Sequence, residues 1–144
     1  MEPRGMEQGK NPLPLRIPRA KALLVFEDAG DLRFYRDILE RCGYCVQTCN
    51  SYQEGVRCLA NKPFDFVVVS QGTPKFEGSC VLKRATEINR SLPVLVVARC
   101  VDMGSYLEAM QLGAVDYLVE PLTVSELGRV LKDHPPVRGQ SAMV

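Results

Sequence analysis

The chain has 144 residues, of which 46% are hydrophobic and 24% charged, and its formal net charge is +1. These values predict one soluble globular domain, and the near-neutral charge does not favour a nucleic-acid or membrane surface as partner. The sequence has no apolar run of the roughly 18 residues that span a bilayer. Its opening, MEPRGMEQGK, lacks the apolar segment of a secretory signal. We therefore expect a cytoplasmic protein.

The composition changes towards both ends of the chain. Residues 1–20 hold four of the ten prolines and show no sustained periodicity, which predicts a flexible N-terminal arm. Pro135 and Pro136 would stop a preceding helix, so residues 133–144 are expected to form a flexible C-terminal tail. The folded domain is therefore predicted to occupy residues 21–132.

Five short segments rich in β-branched and other apolar residues predict strands. They are Ala22–Phe26, Tyr44–Cys49, Phe66–Ser70, Val94–Ala98 and Asp116–Val119. The first, third and fourth lack polar alternation, which is typical of parallel strands covered on both faces. The second alternates between apolar and polar residues, which favours a position at the edge of a sheet.

Helical patterns fill each gap between the strands. Ser51 and Glu54 predict an N-terminal capping box for a second helix that ends at Asn61, while Gly43 and Gly113 predict the ends of the first and fourth. The apolar stripes are Leu32, Tyr35, Ile38, Leu39 and Cys42 in the first helix, Val81, Leu82, Ala85 and Ile88 in the third, Tyr106, Leu107, Met110 and Gln111 in the fourth, and Val124, Leu127, Val130 and Leu131 in the fifth.

Strict alternation of strand and helix predicts an α/β fold of the (βα)5 type, with a doubly wound parallel sheet of five strands. We expect the flavodoxin-like order 2-1-3-4-5, which reverses between strands one and three. Ligands of such sheets bind beyond the carboxyl ends of the strands near that reversal. The residues at these ends are Glu27, Asp28, Ser70, Ala98 and Glu120.

Six cysteines raise the question of disulfides or a metal. Without a secretory signal we expect them to stay reduced, and a chain of this length can bury a core without cross-links. Cys42, Cys45 and Cys49 resemble a loose set of zinc ligands, but no second Cys-x-x-Cys pair follows. We therefore expect the cysteines to be small buried hydrophobic residues, with zinc binding as the alternative.

Four motifs together resemble the CheY-like receiver domain of bacterial response regulators. They are LLVFED at residues 23–28, FDFVVVSQGTPKFEG at 64–78, LPVLVVA at 92–98 and GAVDYLVEPL at 113–122. Their order and spacing carry the resemblance, which covers residues 21–132. It implies a domain of two-component or phosphorelay signalling that takes a phosphoryl group from a histidine kinase onto an aspartate ending strand three.

The resemblance also implies a metal site and a switch. In the family an acidic pair after strand one holds Mg²⁺, together with a backbone carbonyl two residues beyond the phosphorylated aspartate. These positions correspond here to Glu27, Asp28 and Gly72. Tyr117 matches the aromatic residue of strand five that moves on phosphorylation and alters the surface of helix four, strand five and helix five.

Three positions depart from the family pattern. Ser70 stands at the phospho-acceptor position, Ala98 at the Ser/Thr position and Glu120 at the lysine position. An ionised carboxylate attacks a phosphoryl group directly, whereas a serine hydroxyl needs a general base. Glu120 replaces a cation with an anion, and two unit charges about 4 Å apart interact by roughly 4 kcal/mol at an effective dielectric near 20. These substitutions predict a pseudo-receiver, in which normal phosphorelay chemistry is lost.

The sequence therefore predicts a stand-alone signalling module that is not an enzyme, requires no cofactor and acts by phosphorylation-independent protein–protein interaction. We expect its signalling partner at the face formed by helix four, strand five and helix five, with a homodimer as an open alternative and no direct DNA binding. Two other functions stay open: a sensor that binds Mg²⁺ or another cation in the acidic pocket, and a non-standard phospho-acceptor at Ser70. The carboxylates could instead take up a proton or pair with Arg99.

Overall fold

The computed structural model describes residues 19–136, which form five strands and five helices in alternation. The elements are β1 Ala20–Val25, α1 Ala29–Arg41, β2 Tyr44–Cys49, α2 Tyr52–Asn61, β3 Phe66–Ser70, α3 Ser79–Ile88, β4 Val94–Ala98, α4 Met103–Leu112, β5 Asp116–Val119 and α5 Val124–Asp133. All neighbouring strands pair in parallel, in the order β2-β1-β3-β4-β5. The predicted fold and strand order are confirmed.

The predicted flexible arm and tail concern mostly residues that the structure does not describe. Residues 1–18 and 137–144 lie outside the described chain. Within it, β1 begins at Ala20 and α5 ends at Asp133, close to the expected domain limits.

Two apolar clusters cover the two faces of the sheet because the central strands alternate their side chains between them. Val25, Val69 and Val96 belong to the cluster under α2, α3 and α4. Leu24 and Val68 belong to the cluster under α1 and α5. None of the helices in residues 19–136 has both the length and the apolar character needed to cross a membrane.

Side-chain caps begin four of the five helices, and α3, which starts after Gly78, is the exception. Asp28 accepts a hydrogen bond from the Asp31 backbone N–H at 2.9 Å and so caps α1. Ser51 caps α2 in the same way by accepting from the Glu54 backbone N–H, but the Glu54 side chain does not complete the predicted capping box. A full capping box forms instead at α5, between Thr123 and Glu126.

The apolar stripe expected in the fourth helix does not face the core. Tyr106 and Leu107 are 37% and 52% exposed, whereas Ser105 and Ala109 are buried. Small residues at this i, i+4 spacing allow α4 to lie close to the neighbouring structure, which turns the larger side chains outwards. Ile88 of the third predicted stripe is also exposed, as the last residue of α3.

The cysteines differ from the expectation of buried hydrophobic residues. Cys49 is buried and Cys58 partly buried, but the others are exposed: Cys42, Cys45, Cys80 and Cys100. Cys42 follows the last turn of α1 and Cys45 lies on edge strand β2, so solvent reaches both. No three His, Cys, Asp or Glu side chains among residues 19–136 are grouped as a metal site, so the alternative of zinc at Cys42, Cys45 and Cys49 has no geometric support.

Candidate functional site

A pocket of about 260 Å³ lies at the carboxyl ends of the strands, where the strand order reverses. It brings together five residues expected from the sequence: Glu27, Asp28, Ser70, Gly72 and Glu120. Two others do not line it. Ala98 is buried at the end of β4, beside the lining residue Val97, and Tyr117 is buried on β5.

The Ser70 hydroxyl is held by a tyrosine that the sequence analysis did not single out. Tyr52, the first residue of α2, places its hydroxyl 2.7 Å from Ser70 Oγ. Burial raises the pKa of Tyr52, an effect partly offset by the hydrogen bond to Ser70 and reinforced by the charge of Glu27. The phenol therefore stays neutral at physiological pH, and it cannot take the Ser70 proton as a phenolate would.

The Glu120 carboxylate is engaged by a second tyrosine. The Tyr35 hydroxyl donates to Glu120 Oε2 at 2.5 Å, across 85 residues of sequence. Burial, then the hydrogen bond and charge of Glu120, raise the pKa of Tyr35 well above its usual range. A charge-assisted bond from a neutral phenol stabilises an anion at the position where the family resemblance implies a cation.

The remaining charges make the pocket acidic. Its lining holds the acids Glu27, Asp28, Asp31 and Glu120 and one base, Arg99. Arg99 Nη2 lies 3.4 Å from Asp31 Oδ2. It therefore pairs with this residue of α1 and not with Glu27, Asp28 or Glu120. The Asp31 charge, followed by the hydrogen bond to it, raises the pKa of Arg99. Because the Arg99 side chain is 70% exposed, this pair offsets little of the acidic charge.

The loop after β3 forms one wall of the pocket. Gly72 has φ +86°, a left-handed conformation that favours glycine, and a Cβ there would also lie 2.4 Å from Glu77 Oε1. Glu77 accepts from the Thr73 backbone N–H at 2.7 Å and from the Thr73 hydroxyl. These bonds lower the pKa of Glu77 and close the loop on itself.

Beside the pocket, Tyr117 is fixed by a second residue that the sequence analysis did not name. Its hydroxyl donates to the side-chain oxygen of Gln71, whose amide nitrogen donates to the Thr73 carbonyl at 3.3 Å. Both Tyr117 and Gln71 are buried. The Tyr106 ring of α4 packs edge-on against Tyr117, with centroids 5.5 Å apart. Tyr117 therefore connects the end of β3 to the exposed face of α4.

Comparison with known proteins identifies the family. Residues 23–132 match the response regulator receiver domain. The chain belongs to the response regulator receiver family. Receivers are signalling modules of two-component systems and interact with other signalling proteins.

The relatives of this receiver share its fold at low sequence identity. The transcriptional regulatory protein ZraR of Escherichia coli O157:H7 is 27% identical over 110 residues, which are 76% of this chain and 25% of ZraR. The CheY-like receiver domain protein of Methanospirillum hungatei JF-1 is 21% identical with a TM-score of 0.75, covering 88% of this chain and 98% of that one. The chain thus spans about a quarter of the length of the curated relative.

A third relative was solved with a metal. It is the receiver domain of the sensor histidine kinase PA1611 from Pseudomonas aeruginosa PAO1, with a magnesium ion coordinated in its active-site cleft. Its TM-score is 0.71 and its identity 21%, covering 81% of this chain and 98% of that one. At this identity the likeness shows the fold.

The acidic residues of this receiver do not form a ready magnesium site. Mg²⁺ prefers oxygen ligands in near-octahedral geometry. In the chain from residue 19 to residue 136 no three acidic, His or Cys side chains are grouped to hold a metal ion. Asp28 Oδ2 already accepts from the Asp31 N–H, and Glu120 Oε2 from the Tyr35 hydroxyl. One oxygen each of Asp28 and Glu120 is therefore engaged in helix capping or hydrogen bonding.

The tyrosine partners could not be found from local sequence signals. Tyr35 belongs to the apolar stripe of α1, and its partner Glu120 is 85 residues away. A buried tyrosine hydroxyl usually needs a hydrogen-bond partner. This rule indicates that such a partner exists, but it does not identify the residue. The position of Gln71 is more informative, because it directly follows a buried strand. A buried polar side chain there needs a hydrogen-bond partner within the protein.

Proposed function

We propose that this receiver is a pseudo-receiver: it transmits signals by binding a protein partner and does not accept a phosphoryl group by the aspartate route. One observation carries the proposal. The two polar side chains that replace the phospho-acceptor and the lysine, Ser70 and Glu120, are each held by a tyrosine hydroxyl, from Tyr52 and Tyr35. The pocket is thus organised around hydrogen bonds within the protein.

The charge of the pocket supports the same proposal. Four carboxylates and one arginine line it, and a phosphoryl group would bring further negative charge. Glu120 lies where the family has a lysine, and Ala98 offers no hydroxyl. At an effective dielectric near 20, each unpaired like charge at about 4 Å costs roughly 4 kcal/mol. This repulsion opposes binding of the phosphoryl group before any chemical step.

The proposed partner surface is the face of α4, β5 and α5. Several large apolar side chains of α4 and the segment before it are exposed: Val101, Met103, Tyr106, Leu107 and Met110. Contiguous exposed apolar area of this kind is typical of protein interaction sites. The Gln71–Tyr117 hydrogen bond supports a fixed shape of this face without phosphorylation. A signalling protein is the proposed partner, with a second copy as the alternative, and the cytoplasmic location expected from the sequence is part of this proposal.

A cation sensor is the second candidate, supported by the acidic lining of the pocket. Glu27, Asp28 and the Gly72 carbonyl would supply its oxygen ligands. It is less well supported than the pseudo-receiver, because the carboxylates are not grouped as a metal site in the described chain. Titration calorimetry with Mg²⁺ and Ca²⁺ separates the two: heat that disappears in a Glu27→Gln variant supports the sensor.

Treatment with acetyl phosphate or beryllofluoride in the presence of Mg²⁺ tests the pseudo-receiver directly. We expect no phosphoryl adduct by intact mass spectrometry and no beryllofluoride-dependent shift in the NMR signals of Tyr117, since Ser70 is neutral and Glu120 repels anions. The matched control is the triple variant Ser70→Asp, Ala98→Thr, Glu120→Lys, which should gain an acyl phosphate adduct that hydroxylamine removes. Stoichiometric labelling of the unmodified protein would overturn the proposal, and labelling lost in Ser70→Ala would identify Ser70 as a non-standard acceptor.

A further inference from the structure

Two cysteines touch across the junction of β2 and α2. Cys49 is the last residue of β2 and 2% exposed, and Cys58 lies on α2, partly buried. Their sulfur atoms are 3.3 Å apart. All six cysteines lie within residues 19–136, and among them Cys49 and Cys58 are the pair whose thiols are in contact.

The elements that carry the two thiols are held in place. The Cys49 carbonyl accepts from the Phe26 backbone N–H at 3.2 Å, which fixes the end of β2 against the chain leaving β1. Helix α2 packs closely at Gly55, where an added Cβ would lie 2.8 Å from a methyl group of Val25. A disulfide has an S–S length of about 2.05 Å, so the two sulfur atoms need to approach by little more than 1 Å.

The two thiols differ in reactivity. Burial, followed by the hydrogen bond to Cys58, raises the pKa of Cys49 to about 12. Cys49 therefore keeps its proton at neutral pH. The thiolate is the attacking species in thiol–disulfide exchange, and access to the reagent matters as well. Cys58 is thus the sulfur that reacts first, and Cys49 is the resolving thiol.

We propose that Cys49 and Cys58 form a reversible intramolecular disulfide by exchange with a low-molecular-weight disulfide of the glutathione type. In the first step Cys58 Sγ attacks one sulfur of the reagent, its S–S bond breaks, and one small thiol leaves with the proton that Cys58 lost. In the second step Cys49 Sγ loses its proton, attacks Cys58 Sγ and expels the second small thiol. The protein loses two protons and two electrons, and the reagent disulfide gains both to become two thiols.

The disulfide would act on the pocket through α2. The same helix carries Tyr52, whose hydroxyl meets Ser70 Oγ. A covalent bond between α2 and the end of β2 restrains the turn between them, which contains the Ser51 cap, and the first residue of the helix, Tyr52. Oxidation therefore fixes Tyr52 over Ser70, and reduction releases this restraint. Formation of the bond does not depend on the pseudo-receiver proposal, because it follows from the two thiols alone.

Redox titration of the full chain tests the proposal. The protein is equilibrated in buffers of reduced and oxidised glutathione, quenched by alkylation and mapped by mass spectrometry without reduction. We expect a cross-linked Cys49–Cys58 peptide as the main oxidised product, formed several-fold faster at pH 8.5 than at pH 7, and a Tm higher by ~5 °C than in the reduced protein. Hydrogen exchange in the first turn of α2 should slow on oxidation.

Three single cysteine variants test whether the cross-link and the Tm shift come from this pair of thiols. Cys58→Ser should abolish both the cross-link and the Tm shift, and Cys49→Ala should leave Cys58 as a stable mixed disulfide with glutathione. Cys45→Ser is the matched control, since Cys45 lies exposed on the same strand as Cys49, and it should retain the cross-link. A mixed disulfide that persists on Cys58 in the unmodified protein, or a dominant bond between exposed cysteines, would overturn the proposal.

Discussion

Gly78 packs directly against the main chain at the end of β3. A Cβ at this position would lie 2.1 Å from the Ser70 carbonyl oxygen, and the Gly78 N–H donates to the Gln71 carbonyl at 3.1 Å. The backbone of Gly78 adopts an ordinary right-handed conformation, so the requirement for glycine is one of space. This contact brings the start of α3 against the residues that form the pocket wall.

Replacing Gly78 with alanine should therefore cost ~1–3 kcal/mol of unfolding free energy, because the new methyl group meets backbone that cannot move aside cheaply. Urea denaturation measures the change. The matched control is Gly128→Ala in α5, where an added Cβ has nothing within 4 Å. That variant should gain about 0.5–1 kcal/mol, since alanine is the better helix former. Equal effects of the two substitutions would contradict the steric argument.

At the scale of elements, α4 and β5 are linked to the pocket by a neutral hydrogen-bond chain. Gln71 follows β3, Tyr117 lies on β5, and Tyr106 on α4 packs against the Tyr117 ring. Burial raises the pKa of Tyr117, so its hydroxyl remains a donor at physiological pH. Side-chain contacts therefore run without a break from the pocket wall at Thr73 to α4.

The Gln71→Leu variant should release Tyr117. It removes the acceptor of a buried hydroxyl, which costs about 1–3 kcal/mol if the hydroxyl stays buried and unpaired. We expect Tyr117 to turn towards solvent and to react several-fold faster with tetranitromethane, as read by mass spectrometry of the nitrated peptide. Gln111→Leu, the same change at an exposed site of α4, is the control and should leave the rate unchanged. An unchanged rate in Gln71→Leu would show that packing alone holds the ring.

At the scale of the whole molecule, the sequence predicts the sheet well and the site only in part. Strand positions depend on local apolar runs, and four of the five strands have the predicted limits. Periodicity identifies the apolar stripe of α4 but does not show whether another element covers it, and Tyr106 and Leu107 are exposed. The partners of Ser70 and Glu120 could not be predicted, since Tyr52 and Tyr35 reach them only through tertiary packing.

Buried tyrosines also make the stability of the whole domain depend on alkaline pH. Burial is the largest cause that raises the pKa of four tyrosines: Tyr35, Tyr44, Tyr52 and Tyr117. Unfolded tyrosine ionises near pH 10, so the folded state binds more protons above that pH, and stability falls as pH rises. Below about pH 10 this contribution is fully present.

Urea denaturation at pH 8 and at pH 10.5 should show this loss, with Tyr35→Phe reducing the difference between the two pH values. Each fully shifted tyrosine contributes up to ~1.4 kcal/mol per pH unit. Tyr106→Phe is the control, because Tyr106 is exposed and should leave the difference unchanged. If Tyr35→Phe behaves like Tyr106→Phe, the Tyr35–Glu120 bond is not maintained in solution.

The Tyr35–Glu120 hydrogen bond has a consequence for truncated forms of the chain, because its two residues are 85 positions apart. Strand β1 lies inside the sheet between β2 and β3, so both of its edges are paired with strands that precede β5 in the sequence. A product ending ahead of β5 would contain Glu27, Asp28 and Ser70 but leave the Tyr35 phenol without its acceptor. The bond therefore forms only in chains that extend to Glu120.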